Sequence, residues 1–179
     1  MAIETNWYVI TGGPNCGKSP VIEALAFRGF SIRPEAASVL INQGLSEGKT
    51  LEEIRGDEVA FQNKVLEMKI AAENNADPNE LIFWERSIPD STTYLRLSGG
   101  STKQAEEASG LRRYRGIFIL DLLIGYIKDH RRTEGAEKRN SIHDALVDDY
   151  RSLGYNPINV PVLPIDERVN LILKTIGIL

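Results

Sequence analysis

The chain has 179 residues, of which 42% are apolar and 26% are charged, a mixture typical of one soluble globular domain. The net charge of −4 argues against a general attraction to nucleic acid or to anionic membranes, and no apolar run is long enough to span a bilayer. The single cysteine, Cys16, excludes an internal disulfide framework and favours a reducing, cytoplasmic setting. We therefore expect a single domain over residues 1–179, without a nucleic-acid or membrane partner.

The segment after the first predicted strand contains a sequence motif that is typical of phosphate binding. Residues 7–11 (WYVIT) are typical of a buried strand, and the apolar residues after position 20 have helical spacing as far as Gly29. Between them, GGPNCGKS fits the pattern G-x-x-x-x-G-K-[ST] of a phosphate-binding loop, or P-loop. In such a loop the backbone N–H groups surround a phosphate chain, the lysine reaches the outer phosphates, and the last hydroxyl binds Mg²⁺. The predicted nucleotide-binding residues are Gly12, Gly13, Pro14, Asn15, Cys16, Gly17, Lys18 and Ser19.

The next part of the chain predicts one short strand and two helices. Residues 30–33 are suited to a strand, and a helix with Glu35 in its first turn is expected over 34–44. Thr50 and Glu53 form a T-x-x-E capping box, which predicts the start of one long amphipathic helix. Its predicted buried stripe consists of Leu51, Ile54, Phe61, Val65, Met68 and Ala72.

Strands and helices also alternate through the rest of the chain. The predicted strands are 81–84, 116–120 and 156–160. The predicted helices are one from Pro89 to Gly99, one over 101–112, one that ends at Gly154, and one that opens at Pro164. Between the second and third of these helices, residues 122–139 are rich in charge and poor in apolar anchors, which favours a mobile segment.

This alternation predicts an α/β fold, the three-layer P-loop NTPase fold. We expect a five-stranded, mostly parallel sheet with helices on both faces and a short mobile lid formed by residues 122–139. Ligands of such sheets bind beyond the carboxyl ends of the strands. Polar residues directly after a strand should therefore lie beside the P-loop. Arg112, Arg113 and Arg115 precede a strand, so we interpret them as a solvated face at the opposite edge.

Glu85 and Arg86 directly follow the predicted strand at 81–84. A carboxylate at that position can hold Mg²⁺ together with the Ser19 hydroxyl, either directly or through water. Arg86 could bind a phosphate with two parallel hydrogen bonds. The alternative is that Glu85 and Arg86 form a structural salt bridge with each other.

The acceptor side of a phosphoryl transfer would lie near Glu35. Its carboxylate could take the proton of an acceptor hydroxyl or bind a sugar, or it could only compensate a helix dipole. Asp90 has the same ambiguity, because it also makes a good helix start. Arg131 and Arg132 could close over the transferring phosphate as part of the lid, or belong to an exposed loop of balanced charge.

The two histidines, His130 and His143, are interpreted as surface residues, because no partner pattern predicts a metal site.

Seven segments, in this order, connect the chain with a known family: VITGGPNCGKS, RPEAASVLI, ERSIPDSTTYLRLSG, YRGIFIL, RRTE, LGYNPINVP and ERVNLIL. Together they resemble a family of small P-loop ATP-binding proteins, labelled an AAA domain but kinase-like. The family includes proteins similar to the ribosylnicotinamide kinase domain of the bacterial NAD-biosynthesis regulator. The ERS segment also resembles that of deoxynucleoside kinases. The resemblance covers nearly the whole chain but does not name a substrate.

The resemblance implies a nucleoside-kinase-like core that uses ATP and Mg²⁺. It implies metal and phosphate roles for Glu85 and Arg86, an acceptor role for Glu35, and a lid role for Arg131 or Arg132. Adenine in similar proteins packs against the loop after the last strand, here at 160–161.

Two positions depart from the family pattern. Pro20 replaces the usual Ser or Thr and lacks both a hydroxyl and an N–H that could touch the α-phosphate, so nucleotide affinity could be weaker than in similar proteins. Asp121 stands where an apolar or proline-rich continuation is expected.

Two functions remain open from the sequence. The first is a small-molecule kinase that transfers the γ-phosphoryl group of ATP to a nucleoside or ribosyl-type acceptor. The second is a nucleotide-dependent regulatory protein that hydrolyses NTP slowly and has no small-molecule acceptor. No N-K-x-D-like segment supports guanine specificity, and no separate helical lid domain supports a mechanical AAA-type motor.

Overall fold

The computed structural model describes residues 1–123 and 135–179. The strands in these ranges are β1 (Ile3–Glu4), β2 (Trp7–Thr11), β3 (Ser31–Arg33), β4 (Ile82–Glu85), β5 (Arg112–Arg113), β6 (Gly116–Leu120) and β7 (Ile158–Val160). The helices are α1 (Lys18–Phe27), α2 (Ala36–Ser46), α3 (Leu51–Arg55), α4 (Glu58–Asn74), α5 (Ile88–Ser98), α6 (Lys103–Ser109), α7 (Ala136–Ser152) and α8 (Ile165–Thr175). None of the helices in these ranges combines the length and hydropathy needed to cross a bilayer.

The predicted α/β fold is confirmed. Five parallel strands form one sheet in the order β3-β4-β2-β6-β7, so the strand that leads into the P-loop lies at its centre. Ile10 of β2 is in register with Glu85 of β4 on one side and with Phe118 of β6 on the other. The carboxyl ends of β2, β4 and β6 therefore meet at one edge, where the sequence predicts the ligand.

Helices cover both faces of the sheet, because successive side chains of a buried strand point to opposite sides. On one face Ile10 and Phe83 pack with Val21 of α1 and Val169 of α8. On the other face Trp7, Val9, Trp84 and Ile117 pack with Tyr150 of α7. Helices thus cover both faces of the sheet, so a ligand site is expected at its carboxyl edge.

The prediction of one long helix after residue 50 is wrong, although its capping box is confirmed. Thr50 and Glu53 cap α3, but that helix ends at Arg55. Asp57 then starts α4 by accepting a hydrogen bond from the N–H of Ala60 at 2.9 Å. The helix breaks because a short carboxylate side chain satisfies the first N–H groups of a new helix and competes with continued helical bonding.

Two other helix boundaries differ from the prediction. Helix α2 runs through Gly44 to Ser46. A β-carbon at Gly44 would lie 2.6 Å from the Ile54 side chain of α3, so a larger residue would not fit there. Gly44 therefore allows close packing between helices instead of ending one. At the other end, Glu35 is the extended N-cap residue of α2 and not part of its first turn.

The interpretation of the arginines at the opposite edge needs correction. They do lie before β6, but Arg112 and Arg113 form a short parallel pair with β1 and are half-buried. Arg113 donates to the carbonyl groups of Leu153 and Gly154 and stacks 3.8 Å above the Tyr155 ring. Only Arg115 of the three is solvated as predicted, because the other two use their long side chains to join packed elements.

Candidate functional site

The P-loop connects the centre of the sheet to α1. Gly12 has a φ of 138°, and a β-carbon there would lie 2.7 Å from the carbonyl oxygen of Leu120, so only glycine fits. Asn15 and Gly17 also have positive φ, of 60° and 82°. Such alternation turns successive N–H groups to one side and forms a concave site for an anion. The backbone geometry is therefore that of a loop whose N–H groups could surround a phosphate, as the sequence pattern predicts.

Helix α1 adds an uncompensated positive end to this cradle. Its N-cap, Gly17, has no side chain to cap the helix, and its first turn contains no acidic residue. The free N–H groups of the first turn and the helix dipole can therefore act on an anion.

Lys18 lies folded onto its own loop. Its Nζ donates to the carbonyl of Gly13 at 3.1 Å and to that of Gly12 at 3.4 Å, and the residue is only 7% exposed. These contacts hold the ammonium group over the cradle. Cys16, by contrast, is fully buried in the core next to Gly12, so packing accounts for its position.

Ser19 and Glu85 form the predicted pair beside the P-loop. The Ser19 hydroxyl donates to Glu85 Oε1 at 2.7 Å, and Glu85 is 5% exposed. Burial raises the pKa of Glu85, although the hydrogen bond from Ser19 opposes this rise. Mg²⁺ binds oxygen ligands, including carboxylate and hydroxyl oxygens, and phosphate and water oxygens could complete its coordination. No group of three or more His, Cys, Asp or Glu side chains in the described ranges offers a complete protein cage for a metal.

The structural alternative was a salt bridge between Arg86 and Glu85. Arg86 instead pairs with two other acids, Glu35 and Asp90. Its Nε lies 2.7 Å from Glu35 and its Nη1 3.0 Å from Asp90, and it is 5% exposed. The residue has a φ of 61°, and its N–H bonds the carbonyl of Ile10 on the P-loop strand. We call these three residues the Glu35–Arg86–Asp90 cluster. The cluster holds the guanidinium group rigidly beside the P-loop strand.

Asp90 is the anchor of this cluster. It is fully buried and accepts hydrogen bonds from Arg86, from the hydroxyl groups of Thr11 and Tyr150, and from the N–H of Ser87. Burial has the largest single effect and raises its pKa, but Arg86, Lys69 and the hydrogen bonds from Thr11 and Tyr150 together lower the pKa below its ordinary value. With these partners, Asp90 fixes Arg86 and the start of α5 instead of facing an acceptor.

Glu35 is the member of the cluster that solvent can reach. Its side chain is 24% exposed, and besides Arg86 it accepts a hydrogen bond from the Ser38 hydroxyl at 3.0 Å. Burial would raise the pKa of Glu35, but Arg86 and Lys18 lower it below the ordinary 4.5. Glu35 is therefore a carboxylate at neutral pH, held by Arg86 at the start of α2.

Sequence reasoning missed two residues that contact the P-loop. Arg168 of α8 is 2% exposed and donates from Nη1 to the Cys16 carbonyl at 2.6 Å, across 152 positions of the chain. His143 of α7, predicted to be a surface residue, is half-buried and accepts the N–H of Gly13 on Nδ1 at 3.2 Å. The interpretation of His143 was wrong because no local pattern reports a contact made by a distant helix.

Two other missed groups support the site from behind. Lys69 of α4 is buried and donates to the Ser87 carbonyl at 2.9 Å and to the Ser91 hydroxyl at 3.0 Å. The Tyr150 hydroxyl lies 2.7 Å from the Ser87 hydroxyl and also bonds Asp90. Both residues hold the turn between β4 and α5, which carries Arg86.

Some of the predicted residues lie outside the described ranges, and two others, Asp121 and Val160, lie within them. Arg131, Arg132 and His130 fall in residues 124–134, outside the described residues, as does most of the predicted lid. Asp121 follows β6 and accepts a hydrogen bond from Asn159 at 3.2 Å. Val160, where the base is expected, is buried at the end of β7.

A family model described as an AAA domain matches residues 7–168. No curated protein sequence matches the chain significantly. Among solved structures, a NadR protein in complex with NR is similar over 96% of this chain and 50% of that chain, at 17% identity and a TM-score of 0.67. A NadR complex with NAD and AMP-PNP covers 97% and 50%, at 14% identity and a TM-score of 0.66.

A third similar structure is deoxyadenosine kinase from M. mycoides, which covers 97% of this chain and 100% of that chain, at 14% identity and a TM-score of 0.65. The chain thus spans about half the length of the NadR proteins and the full length of this kinase. At such identities the likeness concerns the fold, which is the kinase-like P-loop fold.

Proposed function

The chain belongs to the AAA domain family, and from that premise we propose that it is an ATP- and Mg²⁺-dependent kinase. It transfers the γ-phosphoryl group to a hydroxyl of a nucleoside or ribosyl-type acceptor. The observation that carries the proposal is the placement of an ionised, reachable acid, Glu35, two strands away from the P-loop, with Arg86 between them. A protein that only binds nucleotide does not require such an arrangement.

On the phosphate side, the P-loop N–H groups and Lys18 bind the phosphate chain of ATP and stabilise charge on the transferring group. Ser19 and Glu85 would hold Mg²⁺, which would supply positive charge next to the phosphate oxygens. The hydrogen bond of 2.7 Å between the Ser19 hydroxyl and Glu85 Oε1 holds both oxygen atoms next to the start of α1. The use of ATP is supported by the similarity to a NadR protein whose complex contains AMP-PNP.

On the acceptor side, Glu35 orients the acceptor hydroxyl and takes its proton as the phosphoryl group arrives. Arg86 helps to keep Glu35 ionised, and the guanidinium donors that its two acids do not use would bind a phosphate oxygen. Nucleoside-like acceptors are supported by the similarity to deoxyadenosine kinase and to a NadR complex with NR. The roles of Arg131 and Arg132 as lid residues, and of residues 160–161 as the adenine site, belong to the same proposal.

The alternative from the sequence is a regulatory protein that hydrolyses NTP slowly and has no small-molecule acceptor. Cavities of about 530 Å³ and 310 Å³ lie at the amino edge of the sheet and between α2, α3 and α4. Neither is lined by Glu35, Arg86 or a P-loop residue, so neither is the acceptor site that we propose.

The test is an acceptor screen with ATP and Mg²⁺ over nucleosides and ribosyl compounds, in which both ADP and the phosphorylated acceptor are measured. The expected result is ADP formation that depends on one class of acceptor and is lost in Lys18→Ala. ATP turnover that no acceptor changes would favour the regulatory protein. A Lys18→Ala variant as active as the wild type would contradict the assignment of the phosphate side.

A further inference from the structure

Helix α7 contacts the P-loop through the imidazole of His143. The Nδ1 atom of His143 accepts the backbone hydrogen bond of Gly13 at 3.2 Å, across 130 positions of the chain. A nitrogen that accepts a hydrogen bond carries no proton, so the contact requires the neutral imidazole with its proton on Nε2. The loop thus has a partner outside itself whose bonding depends on protonation.

The packing around Gly13 shows that the contact is built into the fold. A β-carbon at Gly13 would lie 3.0 Å from the β-carbon of His143, 2.9 Å from Leu122 and 3.1 Å from the carbonyl oxygen of Arg139. The second glycine of the P-loop is therefore seated against α7 and the segment after β6. Helix α7 itself is anchored in the core by Ile142, so the imidazole stands on a rigid support.

The charges that face His143 come from three directions. Asp144 on the same helix and Asp121 after β6 favour the charged imidazolium, whereas Lys18 on α1 opposes it. The Arg139 side chain donates to the Leu123 carbonyl. Burial of the ring has the largest effect and lowers the pKa of His143 below the ordinary 6.5. The lowered pKa favours the neutral imidazole at pH 7, and the imidazolium forms as the pH falls through that lowered pKa.

We propose that His143 is a positioning residue of the phosphate site, which holds Gly13 and so maintains the shape of the P-loop before nucleotide binds. The inference rests on the proposed function, since it assumes that the loop binds nucleotide. A loop already held in one shape loses less conformational freedom on binding and so binds more tightly. Protonation places an N–H opposite the N–H of Gly13, breaks the bond and weakens nucleotide binding.

The experiment measures the dissociation constant of ADP with Mg²⁺ by calorimetry, from about pH 8 to about pH 5.5, the range in which a histidine changes charge. His143→Leu removes the acceptor, and His143→Asn offers an oxygen near the same position that does not titrate. Asn140→Leu is the matched control, because Asn140 is exposed on the same helix. Thermal unfolding of each variant separates loss of binding from loss of fold. Each wild-type constant is divided by that of His143→Asn, which cancels the protonation of ADP itself.

At about pH 8, His143→Leu should bind ADP about 3- to 10-fold more weakly than the wild type, the factor expected for one hydrogen bond. The dissociation constant of the wild type, divided by that of His143→Asn, should rise as the pH falls through the lowered pKa of His143. Only the wild type then loses the atom that accepts the Gly13 hydrogen bond. Asn140→Leu should behave as the wild type does.

Equal affinities and pH profiles for the wild type and His143→Leu would overturn the inference while the proposed function stands. Tighter wild-type binding at low pH would also overturn it, because the imidazolium would then contact the phosphate itself. A wild type that binds no ADP at any pH would overturn the proposed function and this inference together.

Discussion

The P-loop and the Glu35–Arg86–Asp90 cluster lie at the ends of neighbouring strands, but one is made of backbone and the other of side chains. The P-loop presents N–H groups, glycines with positive φ and one lysine that bonds its own carbonyl groups. The cluster consists of three ionised side chains, two of them almost fully buried, in which one guanidinium group is paired with two carboxylates. Substitutions should therefore act differently on the two sides: through binding and rate in the loop, and through folding in the cluster.

The largest effect is expected at Asp90, which is fully buried and shared by four donors. Asp90→Asn removes the charge that balances Arg86 and should lower the free energy of unfolding by about 3–5 kcal/mol, the cost of breaking a buried ion pair. The measurement is urea-induced unfolding. Asp166→Asn is the control, because the Asp166 side chain is 85% exposed in its pair with Arg28. Similar losses in both variants would mean that the cluster is no more important for folding than a surface pair.

Lys18→Ala tests the other side of the comparison. Removing a preorganised cation from a transferring phosphate should lower kcat about 10²–10³-fold. Its free energy of unfolding should change by about 1 kcal/mol or less, because the hydrogen bonds of the Lys18 ammonium group within the described residues go to atoms of its own loop. Steady-state kinetics and unfolding are measured on the same preparation. A variant that loses stability and rate in parallel would erase the distinction between the two sides.

Ser19→Ala tests whether the pair beside the loop serves a metal. Loss of the hydroxyl should raise the Mg²⁺ concentration needed for half-maximal activity at least about 10-fold. The measurement is a Mg²⁺ titration at saturating ATP, with Ser38→Ala as a control because Ser38 bonds only Glu35 on the acceptor side. An unchanged Mg²⁺ requirement would leave the Ser19–Glu85 pair as a structural hydrogen bond.

The smallest effect is expected from the acid titration of Glu35. Because its folded pKa lies below 4.5, its ion pair stabilises the fold above that pH and is lost as the pH falls through the folded pKa. The difference in unfolding free energy between the wild type and Glu35→Gln should be on the order of 1 kcal/mol at neutral pH and vanish in acid. A difference that persists at low pH would show that the glutamine disturbs packing and not charge.

The local patterns that predicted correctly depend on residues close together in the chain. The P-loop, the capping box of α3 and the order of strands and helices are of this kind, because turn chemistry and hydrophobic period act over a few residues. The pairing of Ser19 with Glu85 spans 66 positions, yet it followed from the rule that parallel strands end at one edge. Asp57 interrupted the long helix because a local cap competed with an apolar stripe.

The sequence by itself predicted the P-loop, since glycines and a helix start can form an anion site from backbone alone. Tertiary structure decided which side chains meet it. Folding brings Arg86 between Glu35 and Asp90, and His143 and Arg168 reach the loop from helices that follow it by more than a hundred positions. Charge pairing and burial depend on distances in space, and no sequence period encodes those distances. The first clue to this site was therefore local, whereas its electrostatics arise only in the folded chain.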